Sequence, residues 1–190
     1  LGLKRYGGHY AVSAAVFKKI RIVGLLPSYA KIPVAAVRKI RKKYGILQDE
    51  KLIFLYASAS SLSSLLHRNF LKKAIEAVRI MREKGHEVKI ISTSTPPHGI
   101  FGTKEKWFMR VGKKDAAEFY NILGSSDLVV QHQGLGTLAQ AISARIPVIA
   151  NVRDLIYEKS PYHAHAWEVS PFAKFGVCSM LFFSASASAL

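Results

Sequence analysis

Between Ser126 and Ala150 the chain reads as a buried strand, a glycine turn, a helix and a second strand. No other stretch restricts the possible folds as much. Leu128 to Val130 is a short apolar run bounded by turn residues, which suits a strand covered on both faces. Gly134 and Gly136 let the backbone come close to a ligand. Thr137 is read as opening a helix, whose unpaired N–H groups and positive dipole end attract an anion. The helix is expected to stop near Arg145, because Pro147 disfavours a helical residue before it, and Pro147 to Ala150 reads as the next strand.

The rest of the chain repeats that alternation. Ile20 to Leu26 reads as a strand ended by Pro27. Residues 33 to 44 put Val34, Val37, Ile40 and Tyr44 on one face of a helix, with Pro33 at its start and Gly45 as its cap. Lys51 to Ala57 is a strand followed by a small polar run from Ser58 to Ser64. Phe70 to Lys84 is a helix, with Leu71, Ile75 and Val78 at near-helical spacing and Gly85 at its end. Further strands are expected at Val88 to Ser92, Phe108 to Val111 and Val177 to Leu181, and helices at Ala116 to Leu123 and Ala164 to Ser170. This order predicts an α/β fold, a Rossmann-like and mostly parallel sheet flanked by helices, with ligands taken outside the carboxyl ends of the strands.

With 28 Lys and Arg against 12 Asp and Glu the formal net charge is +16. The excess is uneven: residues 1 to 48 contain Lys4, Arg5, Lys18, Lys19, Arg21, Lys31, Arg38, Lys39, Arg41, Lys42 and Lys43 and no acid. Such a block attracts anionic lipid head groups or an acidic substrate, or it serves only as a solvated surface. The aromatics in it, Tyr6, Tyr10, Phe17, Tyr29 and Tyr44, are not read as a stacking platform, and nucleic acid is not the expected partner. One cysteine, Cys178, excludes an internal disulfide framework and a multi-cysteine metal site. Neither a secretory signal nor an apolar run near 20 residues is present, so the chain is expected to be cytoplasmic and at most peripheral at a membrane. It begins at Leu1 and ends in a Ser and Ala tail, and both ends are expected to be cuts.

The phrase S-D-L-V-V-x-H-x-G-x-G-T at 126 to 137, Gln140 after it and A-x-x-x-x-I-P-V-I beyond resemble the nucleotide-sugar motif of GT-B glycosyltransferases. The similarity is to their C-terminal, donor-binding half, as in UDP-glycosyltransferases and the lipid II-forming N-acetylglucosaminyltransferases. It implies that residues 1–20 end an N-terminal domain or linker and that 21–190 form a donor-binding domain truncated at its C-terminus. The resemblance assigns Ser58, Ser60, His132, Gly134, Gly136 and Thr137 to the donor diphosphate, against the plainer reading of a solvated serine loop and a structural histidine. Gln140 matches a position usually held by a ribose-gripping Glu; an amide keeps the acceptor but lacks its charge. His163 and His165 lie in a segment resembling the one near the donor sugar. Two histidines without a third ligand at a recognisable spacing do not make a zinc site, so no metal and no cofactor besides the UDP-sugar substrate is expected.

The resemblance thus implies transfer of a sugar from a UDP-sugar to a lipid-linked or other acceptor, with the catalytic base supplied by an acceptor-binding domain or subunit. On that reading the chain alone is inactive. Two alternatives stay open: a non-catalytic nucleotide-sugar-binding or membrane-recruiting subunit of a split glycosyltransferase, and a UDP-N-acetylglucosamine 2-epimerase-like protein. Against the second stand Ala139 and Gln140, where those epimerases usually have an acidic pair.

Overall fold

The computed structural model describes residues 32–57, 64–93, 105–112, 114–132, 135–151, 172–176 and 178–181. Helix α1 (Val34–Lys43) leads into β1 (Lys51–Ala57), α2 (Ser64–Glu83), β2 (Val88–Ser92) and β3 (Phe108–Arg110). Then follow α3 (Ala116–Gly124), β4 (Leu128–His132), α4 (Leu135–Ser143), β5 (Val148–Asn151) and β6 (Ser179–Leu181). The six strands form one sheet in the order β3-β2-β1-β4-β5-β6, and every neighbouring pair is parallel. The chain therefore runs outward from β1 to β3, returns to the other side of β1, and runs outward again. The reversal puts a topological switch point between β1 and β4, the place where open α/β sheets take their ligands.

Both faces of the sheet are covered, which is why its strands are apolar almost throughout. On one face Leu52, Phe54, Ile91, Val129, Val148 and Ala150 pack with Ile40 of α1, Ile122 and Leu123 of α3 and Leu138 and Ala141 of α4. On the other, Ile53, Leu55, Ala57, Ile90 and Val130 pack with Phe70, Leu71, Ala74, Ile75 and Val78 of α2. Leu52, Phe54 and Leu55 are each 0% exposed, and full burial of such a side chain contributes about 1.5–3 kcal/mol.

Three helices end in the same hydrogen-bonded turn. The N–H of Ile46 reaches the carbonyl of Arg41, that of His86 reaches Met81, and that of Ile146 reaches Ala141. The residues at the left-handed position are Gly45, Gly85 and, in α4, Arg145 at φ 59. At the amino ends of the strands ion pairs close the sheet: Asp127 accepts the Leu52 N–H at 2.8 Å and faces Arg41 at 3.5 Å, and buried Glu50 meets Lys89 at 3.1 Å.

Several expectations are corrected. Helix α2 begins at Ser64, inside the run read as a polar loop and six residues ahead of Phe70. No Gly or Pro interrupts the sequence from Ser64 to Lys84, so a helix that packs at Phe70 extends backwards unopposed. Helix α4 starts at Leu135, not Thr137, because Gly136 adopts a helical conformation. Val34, expected on the packed face of α1, is 64% exposed. The strand expected at Ile20 to Leu26 and the helix at Ala164 to Ser170 lie outside the described residues. Among the described residues no helix is long and apolar enough to cross a membrane.

Candidate functional site at the carboxyl ends of β1 and β4

The strands change character where they end. After the apolar runs come Ser92 on β2, Tyr56 on β1, Gln131 and His132 on β4, and Asn151 on β5. Ser92, Gln131, His132 and Asn151 are buried, at 2%, 0%, 0% and 5% exposure. Strands favour apolar and β-branched residues, and a buried polar group costs free energy unless it is hydrogen-bonded. Polar side chains gathered at one end of the sheet therefore mark that end as a place for polar chemistry.

Register fixes how they stand to one another. Ala57 is paired with His132 across the switch point, Tyr56 with Gln131, and His132 with Asn151. Successive side chains on a strand point to opposite faces. Tyr56 and Gln131 accordingly lie on the face covered by α3 and α4, where the Tyr56 ring meets that of Phe119 edge-on at 5.4 Å. Burial, and after it the charge of nearby Tyr120, pushes the Tyr56 phenol above its ordinary value of 10.0 and keeps it a neutral donor. His132 and Asn151 lie on the α2 face, and the imidazole of His132 packs against the Phe70 ring at 5.6 Å.

Helix α4 leaves this end of the sheet immediately beyond β4. Gly136 stands exposed in its first turn, and a Cβ built there meets no atom within 4 Å among the described residues. The backbone conformation does not demand glycine at this position. One residue on, Thr137 is 7% exposed, and Gln140, a further turn along, is 1% exposed. Both lie on the buried side of α4.

Of the residues singled out in the sequence, His132, Gly136, Thr137 and Gln140 thus sit on β4 and α4, at or just beyond the switch point. Ser58, Ser60, Gly134, His163 and His165 lie outside the described residues. The strand leading to the Ser58 loop does end beside the strand leading to Gly134, since Ala57 and His132 are register partners. Gln131 and Asn151 escaped the sequence reading. Each is a polar residue interrupting an apolar strand, V-V-Q and V-I-A-N, and that interruption was the available signal. Among the described residues no cluster of three metal-ligating side chains occurs.

A cleft of about 390 Å³ opens elsewhere, lined by Ile142, Arg145, Ile146, Pro147, Val148, Gly176, Cys178 and Ser179. It lies at the amino ends of β5 and β6, away from the polar strand ends. Its lining is mostly apolar, and burial raises the Cys178 thiol above its ordinary 9.0, which makes it a poor nucleophile.

No protein-family model and no curated protein matches the sequence. Solved structures do match the fold. WaaG, a glycosyltransferase involved in lipopolysaccharide biosynthesis, is similar with a TM-score of 0.58 at 15% identity, over 98% of this chain and 48% of that one. A protein from Listeria monocytogenes assigned as a UDP-N-acetylglucosamine 2-epimerase gives 0.55 at 18% identity, over 76% of this chain and 35% of that one. MnaA from S. aureus, solved with UDP, gives 0.53 at 17% identity, over 74% and 34%. The chain spans between 34% and 48% of the length of these three proteins. By fold it is one Rossmann-like half of the GT-B architecture, found both in glycosyltransferases and in this epimerase.

Proposed function

We propose that the chain is the donor-binding part of a glycosyltransferase, residues 21–190 forming the nucleotide-sugar domain and residues 1–20 the end of a linker or preceding domain. The observation that carries this reading is the switch point itself, where the polar ends of β1 and β4 meet beside the first turn of α4. A UDP-sugar laid across those strand ends places its diphosphate against His132, Gly136 and Thr137, with Ser58, Ser60 and Gly134 on the adjoining loops. Gln140 takes a ribose hydroxyl, and His163 and His165 stand near the sugar.

In such a site the chain's own contribution is to bind the donor and to stabilise the leaving group. As the bond from the anomeric carbon to the β-phosphate oxygen lengthens, negative charge grows on the departing UDP. The N–H groups and dipole of α4, with a proton on His132, offset that charge more strongly in the transition state than in the ground state. No metal ion is required for this, and the base that activates the acceptor comes from an acceptor-binding domain or subunit. The epimerase-like fold match keeps an epimerase as a second reading.

Calorimetric titration tests the proposal: UDP and UDP-sugars bind more tightly than ATP or NAD. Changing Gly136 to Val leaves the fold intact, because the added side chain meets open space, yet weakens UDP at least tenfold by filling the phosphate approach. Equal or better binding of ATP or NAD overturns the reading. Conversion of UDP-N-acetylglucosamine into its 2-epimer by the chain decides for the epimerase instead.

A further inference from the structure

We infer that the cleft at the amino ends of β5 and β6 is a second binding site, one that takes a small apolar carboxylate with Arg145 as its anion-binding residue. It lies at the opposite ends of the strands from the nucleotide site proposed above and is independent of it. Arg145 holds a left-handed conformation, φ 59, in a turn that Gly45 and Gly85 close after α1 and α2. A side chain with a Cβ is strained there, and such strain persists at positions held for a function. The turn does not need the arginine, since glycine closes it twice elsewhere. Nor does the helix dipole require a cation at this place. Helix α1 carries Arg41, Lys42 and Lys43 in its last helical turn, before the left-handed residue, whereas α4 has no basic residue in its own.

The strained residue stands beside a cavity of ligand size. Arg145 lines the cleft of about 390 Å³, a volume within the range of about 300–1,000 Å³ usual for small-molecule sites. Ile146, Val148 and Cys178 are buried members of the core and form its wall with Ile142 and Pro147. A close-packed wall of this kind is set before a ligand arrives. Among the described residues Arg145 is the one charged residue lining the cleft. Its guanidinium joins no ion pair or hydrogen bond among them, in contrast to Arg41, Arg79 and Arg82. A guanidinium offers a planar fork of donors that fits a carboxylate with two parallel hydrogen bonds. One cation also balances a carboxylate's single charge, whereas a phosphate monoester carries about −1.5 to −2 and calls for more donors. An apolar wall with one unpaired guanidinium therefore selects an apolar body with one carboxylate.

Calorimetric titration with octanoate, octanol and acetate on wild type, Arg145→Gly and Arg145→Asn tests the site. Glycine and asparagine both accept the left-handed conformation, so the turn survives in either variant, which thermal melts check directly. Octanoate is expected to bind wild type about tenfold or more tighter than octanol, which lacks the charge, and than acetate, which lacks the apolar body. In both variants octanoate falls to the level of octanol, while octanol itself changes by less than about twofold because its contacts are apolar. Added salt weakens octanoate and leaves octanol alone. On the isotopically labelled chain octanoate shifts the amides of Ile142, Ile146, Val148 and Cys178. No octanoate binding at millimolar concentration, equal binding of octanoate and octanol, octanoate affinity unchanged in both folded variants, or amide shifts away from the cleft each overturns the assignment.

Discussion

Arg145 occupies a backbone position that glycine holds in two equivalent turns of the same molecule. At φ 59 its Cβ crowds the following carbonyl, while Gly45 and Gly85 take the matching places after α1 and α2 without that clash. Arg145→Gly should therefore stabilise the fold by about 1 kcal/mol, partly offset by the greater freedom of glycine in the unfolded chain. Thermal unfolding is expected to shift upward by about 2–4 °C for a domain of this size. A lower melting temperature would show that the arginine side chain contributes contacts that outweigh the strain. The residues legible in the sequence were those whose role is written into backbone chemistry, such as Gly45 and Gly85 after their helices. Gln131 and Asn151 were not, because a polar residue in an apolar run gains meaning only once register shows which neighbours it meets.

At the scale of elements, α1 is fastened to α3 through one carboxylate. Glu118 accepts hydrogen bonds from Lys43 and from the Tyr44 hydroxyl, the latter at 2.9 Å. The Lys43 hydrogen bond, then that of Tyr44, holds the Glu118 carboxyl below its ordinary 4.5. Burial, then the hydrogen bond to Glu118, pushes the Tyr44 phenol from 10.0 up to about 12. The carboxylate is depressed in the folded state, so its contribution is present above pH 4.5 and is lost as the pH falls through the lower folded value. The phenol is raised, so its contribution is complete below pH 10 and is lost as the pH climbs towards 12. In Glu118→Gln the melting-temperature gap to wild type should be widest near pH 7 and close as the pH falls towards 3; a gap constant with pH would mean the link is not ionic. The sequence shows no sign of this clasp, since Lys43 and Glu118 are 75 residues apart. It showed strands and most helices clearly, and missed the start of α2 because serine is a turn former as readily as a first helical residue.

For the whole molecule, the charge of +16 and the acid-free segment from residue 1 to 48 bear on where the chain works. Some of those cations serve the fold: Arg41 bonds the carbonyls of Leu47 and Glu50, and Lys43 bonds Glu118. Arg38, Lys39 and Lys42 stand exposed on α1 and can meet an anionic surface. Each cation that does so adds about 1 kcal/mol, and the attraction fades with salt as the Debye length shrinks. Co-sedimentation with liposomes should require anionic lipid and decline at high salt, which would suit a lipid-linked acceptor. Binding indifferent to lipid charge, or absent at low salt, would leave the segment as a solvated surface.

The central claim is that the nucleotide end of this molecule is the carboxyl end of β1 and β4, although a cleft lies at the amino ends of β5 and β6. Amide chemical-shift mapping of UDP on the isotopically labelled chain measures this directly. The account predicts the largest shifts at Ala57, His132, Gly136, Thr137 and Asn151, with Ile142, Arg145, Cys178 and Ser179 unmoved. Shifts concentrated on the cleft residues, with the strand ends silent, would contradict it.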